Sequence, residues 1–341
     1  MLTYAMMIIL ILVIAASALF GIKVDKDKDS FMSIDDTTFL RGIWCIIIVL
    51  VHIPVAYQNS LQDMLGSFAY IGVTFFFMTS AYGLKYSIVH KKGYMDHFWR
   101  RRLPSILIPA LIANAFEVLM NGLGAGISEI SVLDFVNINN WVKVLLLYYL
   151  LFWLIYYVMP EFAGGILAKD IVMCLFVVVC SLVGCLTSIK ITSIWIVEPL
   201  GFAYGIIAAN HSDKFKSWIK GKWFRKCGLL MGISGILGIT YLKMKPVAFW
   251  GDYLLKIVLG IAIIAFIFEA ISRLKVGNRV NSLLGYISYE VYLLHHGVFA
   301  LLMAIDSGMN SGVFVILSVA ITVVLAFMLN KVCKPLVKFI R

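Results

Sequence analysis

Arg41 and His52 stand eleven residues apart in an apolar stretch, FLRGIWCIIIVLVHIP, that is typical of a membrane helix. At about 100° per residue, that spacing returns both side chains to nearly the same helix face, about 16 Å apart along the axis. An arginine suits recognition of phosphate, and a histidine suits proton transfer because its ordinary pKa lies near neutrality. The pair indicates an anion site at one membrane surface and a general base deeper in the bundle. The structural alternative is a snorkelling arginine and a histidine bonded to a backbone carbonyl.

A second set of polar residues follows helical spacing in the segment LGYISYEVYLLHHGVF. Ser288, Tyr292 and His295 occupy positions i, i+4 and i+7, which share one face of a helix. Tyr289 and His296 lie on an adjoining face. We expect His295 at a depth similar to that of the first histidine, where it or Tyr292 can polarise a carbonyl oxygen. Two imidazoles without a carboxylate or thiolate partner are weak grounds for a metal site, so no metal is expected.

Three consecutive arginines, Arg100, Arg101 and Arg102, precede a proline-started helix and are a candidate site for an anionic nucleotide or diphosphate. The alternative is charge that stops membrane translocation and contacts anionic lipid. Glu198 stands before a proline in an apolar segment. A carboxylate there can orient a histidine or a sugar hydroxyl, or it can pair with a lysine for structural reasons.

The elements that position these residues are predicted to be membrane helices. Of the 341 residues, 62% are hydrophobic and 14% are charged, and the mean hydropathy is +0.96. Soluble proteins have about half apolar and about a quarter charged residues. Apolar runs of about 17 to 20 residues can cross a bilayer of about 30 Å as helices. The predicted fold is therefore an all-α, polytopic transmembrane bundle. About eleven spans are expected, near residues 5–22, 39–57, 67–86, 103–120, 143–159, 171–188, 192–209, 228–243, 253–271, 285–304 and 312–331.

Basic residues outnumber acidic residues by 29 to 18, which gives a net charge of +11. Most of them fall in loops on one side of the predicted spans, and the opposite loops carry only Lys190, Lys243 and Lys245. The positive-inside rule then predicts a multi-pass protein of a bacterial inner membrane with its amino terminus outside and its carboxyl terminus in the cytoplasm. This one-sided distribution argues against nucleic-acid binding. We expect residues 1–38 to form an anchor helix and cytoplasmic linker, and residues 39–341 to form the functional transmembrane domain.

These motifs, in their order and spacing, resemble the acyltransferase-3 family of bacterial membrane acyltransferases. The resemblance runs from about residue 35 to the carboxyl end, and its most specific part is Arg41, then ten residues, then His52. It continues with Gly72-Val73, Phe75-Phe76, Ser80, the basic run from Phe98 to Arg102, and the pattern ISYxVYLxH that ends at His295. The chain departs from the family pattern at Ala81, where glycine is common, and at Ser105, where an arginine is usual. Arg100 is expected to replace that missing arginine.

Members of this family O-acylate sugars of cell walls, exopolysaccharides and lipopolysaccharides. The resemblance implies a core of about ten helices, preceded here by the helix at residues 5–22. It also implies that the first arginine and the basic run bind acyl-CoA and that the two histidines are functional. The predicted site consists of His52 and His295 as catalytic residues, Arg41, Arg100, Arg101 and Arg102 as donor-binding residues, and Ser80, Glu198, Ser288 and Tyr292 as supporting residues.

The predicted function is transfer of an acyl group, acetyl in the first instance, from cytoplasmic acyl-CoA to a sugar hydroxyl of an extracytoplasmic glycan. Acyl-CoA is then a cosubstrate, and no permanently bound cofactor is expected. The expected partners are acyl-CoA, a glycan or lipid-linked sugar, and membrane lipid. Direct transfer and an acyl-enzyme intermediate both stay open. The alternative is an exporter of a glycan or lipid-linked sugar, which suits a polar interior equally but does not require an arginine-rich face below His52.

Overall fold

Helices account for most of the described chain. The computed structural model describes residues 2–25, 27–28, 31–58, 66–126, 130–160, 164–187, 196–219 and 221–341. The α-helices are α1 Leu2–Leu19, α2 Ile34–Val51, α3 Tyr70–His90, α4 Phe98–Ala125, α5 Asn140–Trp153, α6 Gly165–Leu186, α7 Leu200–Asn210, α8 Ser212–Ile219, α9 Trp223–Met244, α10 Lys256–Ile271, α11 Arg279–Tyr286, α12 Ser288–Ile305 and α13 Ser311–Ile340. Short 3₁₀ helices cover Val55–Tyr57 and Val132–Val136, and π-helical turns cover Leu154–Val158 and Trp250–Leu255. Two-residue strands, β1 Lys23–Val24 and β2 Leu274–Lys275, pair in antiparallel fashion.

Within the described residues, seven helical segments are long and apolar enough to cross a membrane. They are Phe98–Gly124, Asn140–Val158, Gly165–Leu186, Trp223–Met244, Trp250–Ile271, Ser288–Ile305 and Ser311–Ile340. The shorter α7 is also apolar. The prediction of an all-α, polytopic helix bundle is confirmed, and the chain is a multi-pass membrane protein.

Helix α2 begins at a cap and ends near a proline. The Ser33 hydroxyl accepts a hydrogen bond from the backbone N–H of Asp36 at 3.1 Å. The acidic residues of the first turn also stabilise the helix, because their negative charges lie beside the positive end of the helix dipole. The helix stops at Val51, because the residue before Pro54 is disfavoured in the helical region. The predicted span at residues 39–57 is therefore too long at its carboxyl end. His52 lies at the end of the helix and not within it.

The predicted span at residues 285–304 is split in the structure. Helix α11 ends at Tyr286, Ile287 is not helical, and α12 begins at Ser288. Helix α11 packs closely on α2, since a Cβ at Gly285 would clash with the carbonyl oxygen of Thr38. Small residues permit such close helix crossings in membrane proteins. The short helix thus braces the amino-terminal half of α2, while α12 carries His295.

A second close crossing joins α3 and α7. A Cβ at Gly205 would lie 2.8 Å from the Cβ of Ala81, so only a small residue fits there. At the end of these helices the ammonium group of Lys85 donates to both carboxylate oxygens of Asp170 on α6, each at 2.7 Å. Asn210 on α7 also donates to Asp170 at 2.8 Å, and the hydroxyl of Tyr156 donates to the same carboxylate. This buried network ties three helices together.

Candidate active site

A cavity of about 820 Å³, here called the main cavity, opens between α2, α3, α4, α5 and α12. At one end of the bundle, which we call the basic end, its lining includes Arg41, Lys91, Arg102 and Lys216. Its inner lining includes Ile48 and Tyr292. Ile48 stands one helical turn before His52, and Tyr292 stands one turn before His295. The main cavity therefore leads from a cationic mouth to the level just below the two histidines.

Two of the predicted donor-binding arginines line this cavity. Arg41 donates from Nη2 to the Thr38 hydroxyl at 3.2 Å, and its Nε is buried without a hydrogen-bond partner among the described residues. Arg102 donates to the Tyr94 hydroxyl from Nε at 2.9 Å and from Nη2 at 2.5 Å. A buried N–H without a partner is costly, which favours an anionic ligand beside Arg41.

The other two predicted donor-binding residues, Arg100 and Arg101, are exposed and do not line the main cavity. On a helix, these positions turn by about 200° and 100° from Arg102, so the three side chains cannot share one face. The sequence did not single out Lys91 and Lys216, which do line the cavity. No charge pattern distinguishes them from the other basic residues at that end.

The two predicted catalytic histidines lie in contact. His295 is fully buried, and its Nε2 lies 3.1 Å from Nδ1 of His52, which is exposed at the end of α2. Nδ1 of His295 lies 2.6 Å from the carbonyl oxygen of Tyr292. A carbonyl can only accept, so Nδ1 of His295 carries the proton and, in the neutral ring, Nε2 accepts from Nδ1 of His52. Nε2 of neutral His52 is then left unprotonated and able to take a proton.

His296 joins this pair, although sequence reasoning only placed it on an adjoining face. Its ring centroid lies 4.1 Å from that of His295 and 5.3 Å from that of His52. One ring nitrogen from each of the three histidines lies within 4.8 Å of the others, so the cluster is able to hold a divalent metal. The expectation that no metal is required stays a prediction.

Three of the four predicted supporting residues line the main cavity. The Ser80 hydroxyl lies 2.6 Å from that of Tyr149, and the Tyr292 hydroxyl donates to Oδ1 of Asn139 at 3.0 Å. Ser288 donates to the carbonyl of Gly285 at 2.9 Å. Sequence reasoning missed Tyr149 and Asn139, because both are brought to the site by contacts between segments far apart in the chain.

Glu198, the fourth predicted supporting residue, does not line the main cavity in the described part of the chain. It is buried, and its carboxylate pairs with Lys256 on α10 at 3.2 Å. The ammonium group of Lys256 also lies 4.7 Å from the ring centroid of Tyr70. This arrangement corresponds to the structural alternative, a carboxylate paired with a lysine.

Comparison with protein families gives a match to an acyltransferase domain, Acyl_transf_3, over residues 34–331. The matched segment contains Arg41, His52, Arg102 and His295, and it begins at the first residue of α2. Neither the curated proteins nor the solved structures give a match. Because the matched segment covers most of the chain, the protein belongs to the acyltransferase-3 family and is a membrane acyltransferase.

Proposed function

We propose that the protein transfers an acyl group, acetyl in the first instance, from cytoplasmic acyl-CoA to a hydroxyl group of an extracytoplasmic glycan. The observation that carries this proposal is the alignment of the cationic mouth of the main cavity with the histidine pair above it. An acyl-CoA has phosphates at one end and a thioester at the other. A cavity with cations at its mouth suits such a molecule when its inner lining, Ile48 and Tyr292, lies one helical turn before His52 and His295.

The donor is bound by its phosphates at the basic end. Arg41 and Arg102 project into the main cavity from α2 and α4, and Lys91 and Lys216 add positive charge at its mouth. Arginine is well suited to binding phosphate because the N–H groups of its guanidinium match the spacing of the phosphate oxygens. The thioester arm then follows the cavity past Ser80 and Tyr149 towards Tyr292, so that the thioester carbonyl comes to the histidine pair.

His52 acts as the general base. Its Nε2 takes the proton of the acceptor hydroxyl while the hydroxyl oxygen attacks the thioester carbonyl carbon. The carbon–sulfur bond then breaks, and the CoA sulfur leaves with the proton that His52 returns. The hydrogen bond from His52 to His295, held in turn by the Tyr292 carbonyl, orients the base and stabilises its charged form. The same base serves whether the hydroxyl attacks the thioester directly or attacks an acyl group carried by the protein.

The positive-inside rule supports a cytoplasmic location for the basic end, since the cations cluster there. Acyl-CoA then binds from the cytoplasm, and the acceptor comes from the opposite face of a bacterial inner membrane. An exporter would have no need for an arginine-rich cavity beneath a base.

The purified protein, reconstituted in lipid, tests this proposal when it is given acetyl-CoA and a glycan fraction from the envelope of cells that lack the gene. We expect glycan-dependent release of free CoA, matched by the mass of acetyl groups on the glycan. Movement of glycan across the bilayer without CoA release would support the exporter and contradict the proposal.

A further inference from the structure

A second cavity, here called the polar cleft, lies at the end of the bundle opposite the basic end. It has a volume of about 340 Å³, and α4 and the segment that follows it supply its walls. Its polar lining consists of Asn114, Glu117, Asn121, Asp134 and Asn137. Amides and carboxylates are therefore concentrated in one concave site, in contrast to the cationic mouth of the main cavity.

One short segment separates the polar cleft from the main cavity. Asn137 lines the cleft, while Trp141 lines the main cavity four residues later. Between them, Oδ1 of Asn139 accepts hydrogen bonds from the Tyr292 hydroxyl at 3.0 Å and from the Trp141 backbone N–H at 2.8 Å. Tyr292 also lines the main cavity, so Asn139 links a residue of the main cavity to the chain segment that lines the polar cleft.

The polar cleft also borders the histidine cluster. Helices α4 and α12 cross at Gly297, where an added Cβ would lie 2.7 Å from the Phe116 ring and 3.1 Å from Cα of Glu117. Gly297 directly follows His296 in the chain. The backbone of Glu117 therefore lies against α12 at the residue that follows His296.

The polar groups of the cleft differ in what they are free to bind. Asn114 already donates to the carbonyls of Asp134 and Phe135, at 2.7 and 2.9 Å, and the Asp134 carboxylate accepts from the Ser131 backbone N–H at 2.8 Å. Glu117, which is partly buried, has no hydrogen-bond or ion-pair partner within the described ranges. Oδ1 of Asn137 accepts from Lys143 at 2.7 Å. A carboxylate at membrane depth is costly unless a ligand or water satisfies it, so Glu117 is available to a ligand.

We infer that the polar cleft binds a sugar ring of the acceptor, with the Glu117 carboxylate accepting a hydrogen bond from one of its hydroxyls. This inference rests on the proposed function and assigns the acceptor class to a particular site. Sugars present several hydroxyls that donate and accept, and carboxylates and amides are their natural complements.

The test titrates the envelope glycan fraction against reconstituted Glu117→Gln protein at saturating acetyl-CoA. Gln keeps the size of the side chain and removes its charge. We expect the KM for glycan to rise about tenfold or more, as for loss of a hydrogen bond to a charged group, with the KM for acetyl-CoA unchanged. Asp306→Asn changes an exposed carboxylate at the same end of the bundle, outside the cleft, and is the matched control.

A second variant, Asn121→Trp, fills the cleft and is expected to raise the KM for glycan as well. An unchanged KM for glycan in both variants would overturn the inference, as would an equal rise in the KM values for glycan and acetyl-CoA. Wild-type protein is measured first. If it releases no CoA in response to glycan, the proposed function fails and the inference fails with it, whereas a failure confined to the variants contradicts the cleft alone.

Discussion

The backbone carbonyl of Tyr292 determines which nitrogen of the histidine pair can act as a base. It accepts a hydrogen bond from Nδ1 of His295, so Nε2 of His295 is the acceptor in the 3.1 Å contact with Nδ1 of His52. The buried ring thus acts through the exposed one. In the proposed mechanism, His295 positions the base, and His52 is the catalytic residue that meets the substrates.

Replacement of His52 with alanine removes the base and leaves the main cavity intact. We expect kcat for glycan acylation to fall by about 10² to 10⁴, which is the usual contribution of general base catalysis. The KM for acyl-CoA should change little. His211→Ala, at an exposed histidine between α7 and α8, is the matched control and should keep full activity. A His52→Ala protein that retains wild-type kcat would remove this residue from the mechanism.

Arg41 is expected to act in binding and not in the chemical step. The Arg41→Ala substitution should raise the KM for acetyl-CoA about tenfold or more, because a charge-assisted contact to phosphate is lost, with a much smaller effect on kcat. The matched control is Arg225→Ala, at an exposed arginine of α9. Equal KM values for the two variants, measured by free CoA release, would show that the phosphates bind elsewhere.

Helix spacing explains which site residues could be predicted from the sequence. Arg41 lies on α2 with His52 at the carboxyl-terminal cap, and Tyr292 and His295 lie on α12, so their spacing along each helix follows from position numbers alone. The contact between His52 and His295 depends on how α2 and α12 pack, and the sequence supported only the expectation of similar depth. Tyr149 and Asn139 carry no local signal at all, because their roles arise from contacts across the bundle.

At the scale of the elements, the buried pair of Lys85 and Asp170 holds α3 against α6. Their side chains are 2% and 5% exposed, so neither charge has water to replace its partner. Removing one partner of a buried pair leaves an uncompensated charge, whereas replacing both with apolar residues is often tolerated.

We therefore expect Lys85→Met to destabilise the protein by about 3–5 kcal/mol and Lys85→Met/Asp170→Leu to recover most of that loss. Thermal unfolding in detergent, followed by loss of tryptophan fluorescence, provides the measurement. Lys243→Met, at an exposed lysine of α9, is the control and should leave the midpoint temperature of thermal unfolding unchanged. A double variant less stable than the single one would contradict the explanation that an uncompensated buried charge destabilises the Lys85→Met variant.

Helix boundaries were missed both where the sequence carries a physical signal and where it does not. Helix α2 ends at Val51, three residues before Pro54, yet the apolar residues around that proline suggested a longer span. The break at Ile287 has no proline or glycine at the break itself, and it follows from the packing of α11 across α2. The predicted span at residues 192–209 falls partly outside the described residues, and its described part forms the turn and helix that end at Asn210.

At the scale of the whole molecule, the segment before α2 belongs to the wall of the main cavity. Residues 31–34 line it, and sequence reasoning had assigned them to a linker. Lys28 anchors this segment by donating to Asp36 at 2.6 Å and to the carbonyls of Ile271 and Leu274 at 2.9 and 2.7 Å. Lys28 thus ties the segment before α2 to the end of α10 and to β2.

The distribution of charge predicts the orientation of the protein in the membrane. A fluorescent protein fused after Arg341 should fluoresce, because the carboxyl terminus is expected in the cytoplasm. Alkaline phosphatase fused after Ser307, between α12 and α13, should be active, because that loop is expected outside. The reverse pattern of reporter activity would place the basic end outside the cell and would rule out acyl-CoA binding from the cytoplasm.

The central claim is that one molecule of acyl-CoA spans the main cavity, with its phosphates at Arg41 and Arg102 and its carbonyl at His52. Electron cryomicroscopy of the reconstituted protein with a thioether analogue of acetyl-CoA tests this most directly. We predict density for the phosphates beside the two arginines and for the acyl end beside the histidine pair. Analogue bound outside this cavity, or with its acyl end directed away from His52, would contradict the account.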